Sequence, residues 1–359
     1  MPARTRSTAA REAGVPVRAL QKADELQRCG DVDVQCVGSN GQVVDALDGG
    51  DVDLVAGTSW LFARPELAGR LDVLVVDEAG QLSLANTLAV SRAAANLVLL
   101  GDPQQLRQPG RGIHPDGADV SALQHVLGEQ EVLPADRGVF LDRSWRMAPA
   151  LCRVVSALSY GGELQPAEVT AGNELDTPAR WAAPAGIGWL PVVHEGNGSA
   201  SPEEAAVVAE LVAGLMGRSW RTGGVERVMG PADVLVVTPY NAQVNQVRSA
   251  LAAVGLGGVE VGTVDKFQGR EAAVAVFSLA ASSGAHVPRR LDFLLDRHRL
   301  NVALSRAKTV AYLVGSPALL TSPVQTPEQL RLVNGLCRLV EIATAAGRAA
   351  PPAMVTASA

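Results

Sequence analysis

The sequence predicts an α/β fold built from two doubly wound, parallel sheets, and three observations lead there. Short β-branched runs recur at Val52–Ala56, Leu71–Val76, Asn96–Leu100, Val234–Val237, Val259–Thr263, Ala273–Leu279 and Thr309–Val314. Runs of this kind, apolar on both sides, are the mark of buried parallel strands. Ala/Leu-rich segments of helix length, such as Leu82–Ala95 and Ala242–Val254, lie between several of them, which is the alternation of doubly wound domains. Finally, 359 residues, at about 150 per domain, leave room for two full cores.

Composition narrows the classes further. The chain is 47% hydrophobic, but aromatics are only 4% and 36 glycines and 21 prolines punctuate it, which suits stacked helices and strands better than an aromatic-rich sandwich. No apolar run reaches the roughly 18 residues needed to span a bilayer, and Met-Pro-Ala-Arg-Thr-Arg-Ser leads into no hydrophobic signal region. A cytoplasmic protein with no membrane partner is expected. Cys29, Cys36, Cys152 and Cys337 form no C-x-x-C pair, so neither a zinc site nor a disulfide framework is indicated. With a net charge of −6, bulk charge attracts no polyanion, and any nucleic-acid site is a local groove.

The least regular stretch, from about Gln165 to Ser201, is rich in Pro and Gly and reads as a linker or domain edge. It ends in Ser201-Pro202-Glu203-Glu204, a capping-box signature with Pro at the first helical position. The expected division is therefore a partial first domain over 1–150, a second over 151–345, and a disordered tail, rich in Ala, Pro and Ser, over 346–359.

Five elements carry chemistry. Leu74-Val75-Val76 delivers Asp77-Glu78 at a strand end, the arrangement of a Walker B site, in which Asp77 holds Mg²⁺ and Glu78 takes a proton from the water attacking a γ-phosphate. Two acids can also simply end a strand. A second strand ends in Gly101-Asp102-Pro103-Gln104-Gln105-Leu106, where a side-chain amide is placed to sense a phosphate and hold that water. In Leu141-Asp142-Arg143-Ser144-Trp145-Arg146-Met147 an aromatic ring suited to stacking adjoins a guanidinium suited to phosphate; a buried Trp with a snorkelling Arg is the plain alternative. The remaining two are Gly262-Thr263-Val264-Asp265-Lys266-Phe267-Gln268-Gly269-Arg270-Glu271 and Leu300-Asn301-Val302-Ala303-Leu304-Ser305-Arg306-Ala307-Lys308. Arg306 has the character of an arginine finger, or of an ordinary helix-surface arginine.

In this order the five elements resemble the motifs of superfamily 1 helicases, closest to the branch of the nonsense-mediated-decay RNA helicase and the Okazaki-fragment helicase-nuclease. In that family V-V-D-E-A is motif II, G-D-x-x-Q-L motif III, Y-R-M motif IV, F-Q-G-R-E motif V and N-V-A-L-[ST]-R-A motif VI. The match spans roughly residues 50 to 316, and Asp-Glu-Ala-Gly-Gln-Leu-Ser-Leu-Ala also resembles bacterial proteins in which a RecB-like nuclease precedes such a helicase. The resemblance implies two RecA-like domains, the first truncated at its N-terminus, with ATP and Mg²⁺ between them and single-stranded DNA or RNA across their top. It implies movement along the strand from 5′ to 3′. By position, Asp77 matches the metal ligand, Glu78 the base, Gln105 the γ-phosphate sensor, and Arg146 and Arg306 the two phosphate-contacting arginines. Trp145 stands where the family usually has a Tyr on adenine, Glu271 matches a ribose-contacting acid, and Gly269 belongs to the same nucleotide-binding segment. Thr58, Thr238, Tyr240 and Thr263 match nucleic-acid contacts.

One departure matters. Such helicases open with G-x-x-x-x-G-K-[ST], whose amides and lysine cradle the β- and γ-phosphates. The three lysines are Lys22, Lys266 and Lys308, and none sits in that pattern. Isolated, the chain is expected to hydrolyse ATP poorly and to expose apolar edges of its first sheet. A gene fragment, a split protein whose other part carries the loop and a nuclease, or a decayed helicase each accounts for it; retention of the downstream residues favours truncation. The alternative function is a non-hydrolysing nucleic-acid-binding or regulatory module. A smaller departure is Met147-Ala148-Pro149, where the family commonly has Met-His-Pro.

Overall fold

Strands of the second sheet alternate their side chains between two apolar layers, and that alternation explains why they read as continuous hydrophobic runs. In the computed structural model, which describes residues 10, 12–23, 33–106, 120–128, 130–177, 185–288 and 291–345, five parallel strands form this sheet in the order β13-β12-β14-β15-β9. They are β9 (Gly186–Pro191), β12 (Val234–Thr238), β13 (Glu260–Thr263), β14 (Ala272–Ser278) and β15 (Ala307–Gly315). Leu235, Val237, Ala275, Phe277, Ala311 and Leu313 face one layer, where Leu151, Val155, Leu304 and Leu336 come from helices. Val234, Val236, Val274, Val276, Val310 and Tyr312 face the other, against Val208, Leu211, Val247 and Leu251. Each fully buried Val or Leu contributes about 1.5–3 kcal/mol, so neither face tolerates the polar alternation of a half-exposed sheet.

The covering helices on the first layer are α5 (Pro149–Ser159), α8 (Leu291–Leu294), α9 (Arg297–Ser305) and α10 (Pro327–Ala345); on the second they are α6 (Pro202–Leu215) and α7 (Asn241–Ala253). A three-stranded antiparallel sheet of β8 (Glu174–Leu175), β10 (Ser219–Thr222) and β11 (Val225–Val228) accompanies them, with a short parallel pair, β6 (Arg143–Ser144) and β7 (Gln165–Pro166).

The other compact unit holds two smaller parallel sheets. In one, β1 (Ala19–Lys22) lies between β2 (Val34–Val37) and β3 (Leu54–Ala56); the other pairs β4 (Leu71–Val76) with β5 (Ala94–Leu99). Among the described residues, helices α1 (Asn40–Asp48), α2 (Ser59–Phe62), α3 (Leu84–Ser91) and α4 (Ala122–Leu127) pack here. Its core gathers Leu20, Val43, Leu61, Leu67, Leu74 and Leu123, yet Val73, Leu97 and Val98 stay exposed. A groove of about 990 Å³ runs along β3 and β4 and ends at Asp77 and Glu78.

The compact units divide at residues 128 and 129, with Gln104–Leu106 belonging to the second. Residues 130–150 therefore pack with the sheet of five, ahead of the expected boundary at 150. The expected tail, 346–359, and Cys29 lie outside the described residues. Cys36, Cys152 and Cys337 are free thiols, and burial pushes the Cys152 thiol up to about 11. No helix among the described residues is long and apolar enough to cross a membrane.

The stretch expected as a linker is a correction. Within it, β9 is buried at all six positions and pairs with β15 from Gly186↔Val310 to Pro191↔Gly315. Its glycines and proline have the composition of a loop for a packing reason: a Cβ on Gly188 would stand 2.6 Å from Tyr312 Cδ1. The capping box is corrected too. Ser201 Oγ accepts from the Glu204 N–H at 3.1 Å, but the Ser201 N–H donates to Gln243 Oε1. Glu204 turns inward and is fully buried. Its Oε1 hydrogen-bonds His194 Nε2 at 2.9 Å, and its Oε2 accepts from Ser278 Oγ (2.7 Å) and the Ala280 N–H (2.9 Å). A buried carboxylate needs such partners, and here they hold Ala280 at φ 68°, in the left-handed region.

Replacing Gly188 by Ala overfills the Tyr312 contact and is expected to lower stability by about 2 kcal/mol. Urea unfolding monitored at the buried Trp189 and Trp220 checks it; an unchanged midpoint would remove the packing account of Gly188.

Candidate functional site

Asp77 and Glu78 end β4, where the backbone leaves the sheet in a tight turn. Asp77 Oδ1 accepts the Glu78 N–H at 3.0 Å, and Gln81 Nε2 donates to Glu78 Oε2 at 3.2 Å. Glu78 itself sits at φ 53°, a strained position for a residue with a side chain, costing on the order of 1 kcal/mol. The loop after β5 pins it: the Leu100 N–H donates to Val76 O and the Ala79 N–H to Leu100 O, both at 2.8 Å. Glycine is required for that approach, since a Cβ on Gly101 would lie 2.9 Å from the Ala79 nitrogen. Both carboxylates are exposed at the mouth of the groove.

In the second unit, Glu271 gathers two cations from distant segments. Its Oε2 accepts from Arg146 Nε at 2.7 Å and its Oε1 pairs with Lys308 Nζ at 2.8 Å. Partial burial pushes the Glu271 carboxyl up, but hydrogen bonds from Lys308 and Arg146 outweigh it and hold the group below its ordinary value. Arg146 also donates from Nη1 to Ser305 O at 3.0 Å. Beside it, Trp145 is 73% exposed, so the buried-Trp alternative does not hold and the ring is open to stacking. Gly269 has φ +72°, a conformation that favours glycine, and joins Gln268 to Arg270 just ahead of Glu271.

Arg306 differs from the expectation of a projecting finger. It caps the carboxyl end of α9, is 2% exposed, and donates to Val302 O (3.0 Å), Arg270 O (3.3 Å) and Ser305 Oγ (3.1 Å). A helix-end guanidinium finds carbonyls there because the last turn leaves them without intrahelical donors. Gln105 packs with the second unit rather than with the acids' own unit. Asn301 Nδ2 donates to Gln104 O at 2.9 Å, Gln104 Nε2 donates to Glu131 O, and Leu106 enters the large core.

Of the four nucleic-acid positions, Thr58 is exposed, starts α2 and makes no side-chain cap bond. Thr263 is half-buried at the end of β13. Thr238 is fully buried, its Oγ1 without a hydrogen-bond partner, and Tyr240 is buried against Phe293, ring centroids 5.8 Å apart. Those two side chains stand away from solvent. Sequence reading passed over Lys308 and Asn301, although both lie inside the quoted run Asn301–Lys308; their spacing carried the signal, their bonds did not show.

The AAA domain family matches residues 118–318. The DNA replication ATP-dependent helicase/nuclease JHS1 of Arabidopsis thaliana is 29% identical over 308 residues, covering 79% of this chain and 21% of that protein. The regulator of nonsense transcripts 1 homolog of Neurospora crassa is 32% identical over 239 residues, covering 62% and 20%. Among solved structures, the arterivirus nonstructural protein 10 helicase with DNA aligns at a TM-score of 0.40 and 16% identity, over 86% of this chain and 49% of that one. The chain spans about a fifth of the length of these two curated relatives. With more than half of its residues matched, it belongs to the AAA domain family of superfamily 1 helicase type, in the branch of the nonsense-mediated-decay and Okazaki-fragment helicases.

Proposed function

We propose that these residues form the motor portion of a cytoplasmic helicase that couples ATP hydrolysis to movement along single-stranded DNA or RNA. The observation that carries this reading is the strained, exposed Asp77-Glu78 turn at the mouth of the groove. Strain held in place by a neighbouring loop is a common property of reacting groups. The two exposed carboxylates suit Mg²⁺, which is commonly held by one or two carboxylates plus substrate phosphates.

In the first unit Asp77 would hold that Mg²⁺ and Glu78 would take the proton of the attacking water; in the second, Gln105 supplies an amide suited to orienting such a water. Arg146 meets developing charge on the phosphates, and Arg306 joins it after leaving its carbonyl partners. Trp145 offers its open face to adenine, with Gly269 and Glu271 on the ribose side. Thr58 and Thr263 meet the strand's backbone, whereas the buried side chains of Thr238 and Tyr240 take no direct part. Because these 359 residues contain no G-x-x-x-x-G-K-[ST], the phosphate cradle on this reading is supplied by residues outside them, in a longer protein or a separately encoded partner.

The missing cradle and the stowed Arg306 favour a second reading, a module that binds nucleic acid without hydrolysis. ATP turnover with and without oligo(dT) or oligo(U), beside a version extended to include the cradle, separates the two. Strand-stimulated turnover in the extended version supports the motor; none in either supports the module.

In the extended version, Glu78→Gln is expected to cut turnover by about 10² to 10⁴ while leaving nucleotide affinity unchanged. Equal losses in both would take the base role away from Glu78. Arg146→Ala should slow hydrolysis about 10³-fold, far more than it weakens binding of a non-hydrolysable ATP analogue. Steady-state kinetics beside equilibrium titration reads the difference.

A further inference from the structure

We propose that Trp60 is a base-stacking platform for single-stranded nucleic acid, an inference that rests on the nucleic-acid reading of Thr58 above. Trp60 is 84% exposed, whereas the buried Trp189 and Trp220 are each 4% exposed. Its placement is fixed and not a loop accident. The two residues that follow it in α2, Leu61 and Phe62, are buried in the core of the first unit. Gly57 secures them, since a Cβ there would meet Leu61 Cδ2 at 2.7 Å. The sequence Gly57-Thr58-Ser59-Trp60-Leu61-Phe62 therefore drives two apolar side chains inward and turns the indole outward.

Chemistry assigns the occupant. An outward indole held on a rigid turn loses little rotational freedom on stacking, and every base presents a π-face to it, so recognition tolerates sequence. Thr58, two residues before, offers a hydroxyl that makes no cap bond, as a backbone contact requires. Arg64, one turn further on, is exposed and pairs with the exposed Glu66 at 2.6 Å, a contact that a phosphate can displace. The groove lined by Gly57, Thr58 and Ser59 also reaches Asp77 and Glu78, and Trp60, the residue after Ser59, belongs to the same unit as the acids.

The test uses the full chain and a fluorescently labelled oligo(dT), beside a strand of equal length with abasic sites. Binding of oligo(dT) by the unaltered chain should quench intrinsic tryptophan fluorescence. Trp60→Ala should weaken oligo(dT) binding about tenfold and remove most of the quench, while Trp60→Phe retains most of the affinity. On the abasic strand, the unaltered chain and Trp60→Ala should bind equally, because the phosphates remain and the bases do not. Unchanged oligo(dT) affinity in Trp60→Ala, or an equal loss on both strands, overturns the platform and leaves the nucleic-acid reading standing. Failure of the unaltered chain to bind either strand overturns both.

Discussion

Glu271 is the point on which the second unit's polar edge depends. One carboxylate faces Arg146, from the segment before α5, and Lys308, from the start of β15. Without it, two cations from remote parts of the chain would face one another, and the Arg146 fork would keep only its bond to Ser305 O. The pair costs desolvation, yet hydrogen bonds from both cations keep the acid ionised. Half-exposed ion pairs contribute little to stability. Their value here is geometric, since they set where the Arg146 guanidinium points.

The topology gives that edge a connection to the far one. In a parallel sheet all strands run the same way, so Thr263, closing β13, and Glu271, just before β14, lie at opposite ends of the sheet. The segment 264–271 spans the distance between them in one short turn, Val264–Phe267, with Val264 and Phe267 buried and Gly269 in the left-handed region. A chain this short and this well anchored transmits displacement instead of absorbing it. The proposed strand contact and the proposed nucleotide contact thus share one strut.

Much of this was legible. The strands at 234–238, 272–278 and 307–315 were announced because burial on both faces keeps them almost wholly apolar, and 71–76 was announced by its apolar letters although Asp72 and Val73 stay exposed. β9 did not, because Gly188 makes room for Tyr312 and its composition imitates a turn. Ser201–Glu204 carried the letters of a capping box, but the acid found better partners across the fold in His194, Ser278 and Ala280 than in its own helix terminus. Motif spacing located Arg306 and Gln105 in the chain; it said nothing of which carbonyls the guanidinium would reach or which core Leu106 would join. Local pattern decides elements, while long-range hydrogen bonds decide where a side chain finally points.

Arg306 shows how such a placement can serve a motor. Each of its hydrogen bonds, involving a charged donor, is worth about 1.5–3 kcal/mol, so the guanidinium leaves them only for partners at least as good, and phosphate oxygens taken bidentately are that. The exchange is nearly balanced in energy but not in consequence. One of the carbonyls released belongs to Arg270, on the strut between Thr263 and Glu271, while the Ala272 N–H still donates to Arg306 O. On the proposed reading, withdrawal of the side chain frees the Arg270 carbonyl at the Glu271 end of the strut, while the Ala272 N–H keeps that same end tied to the Arg306 backbone. Occupancy of the nucleotide contacts and grip on the strand then change together, which is what coupling between two ligands requires.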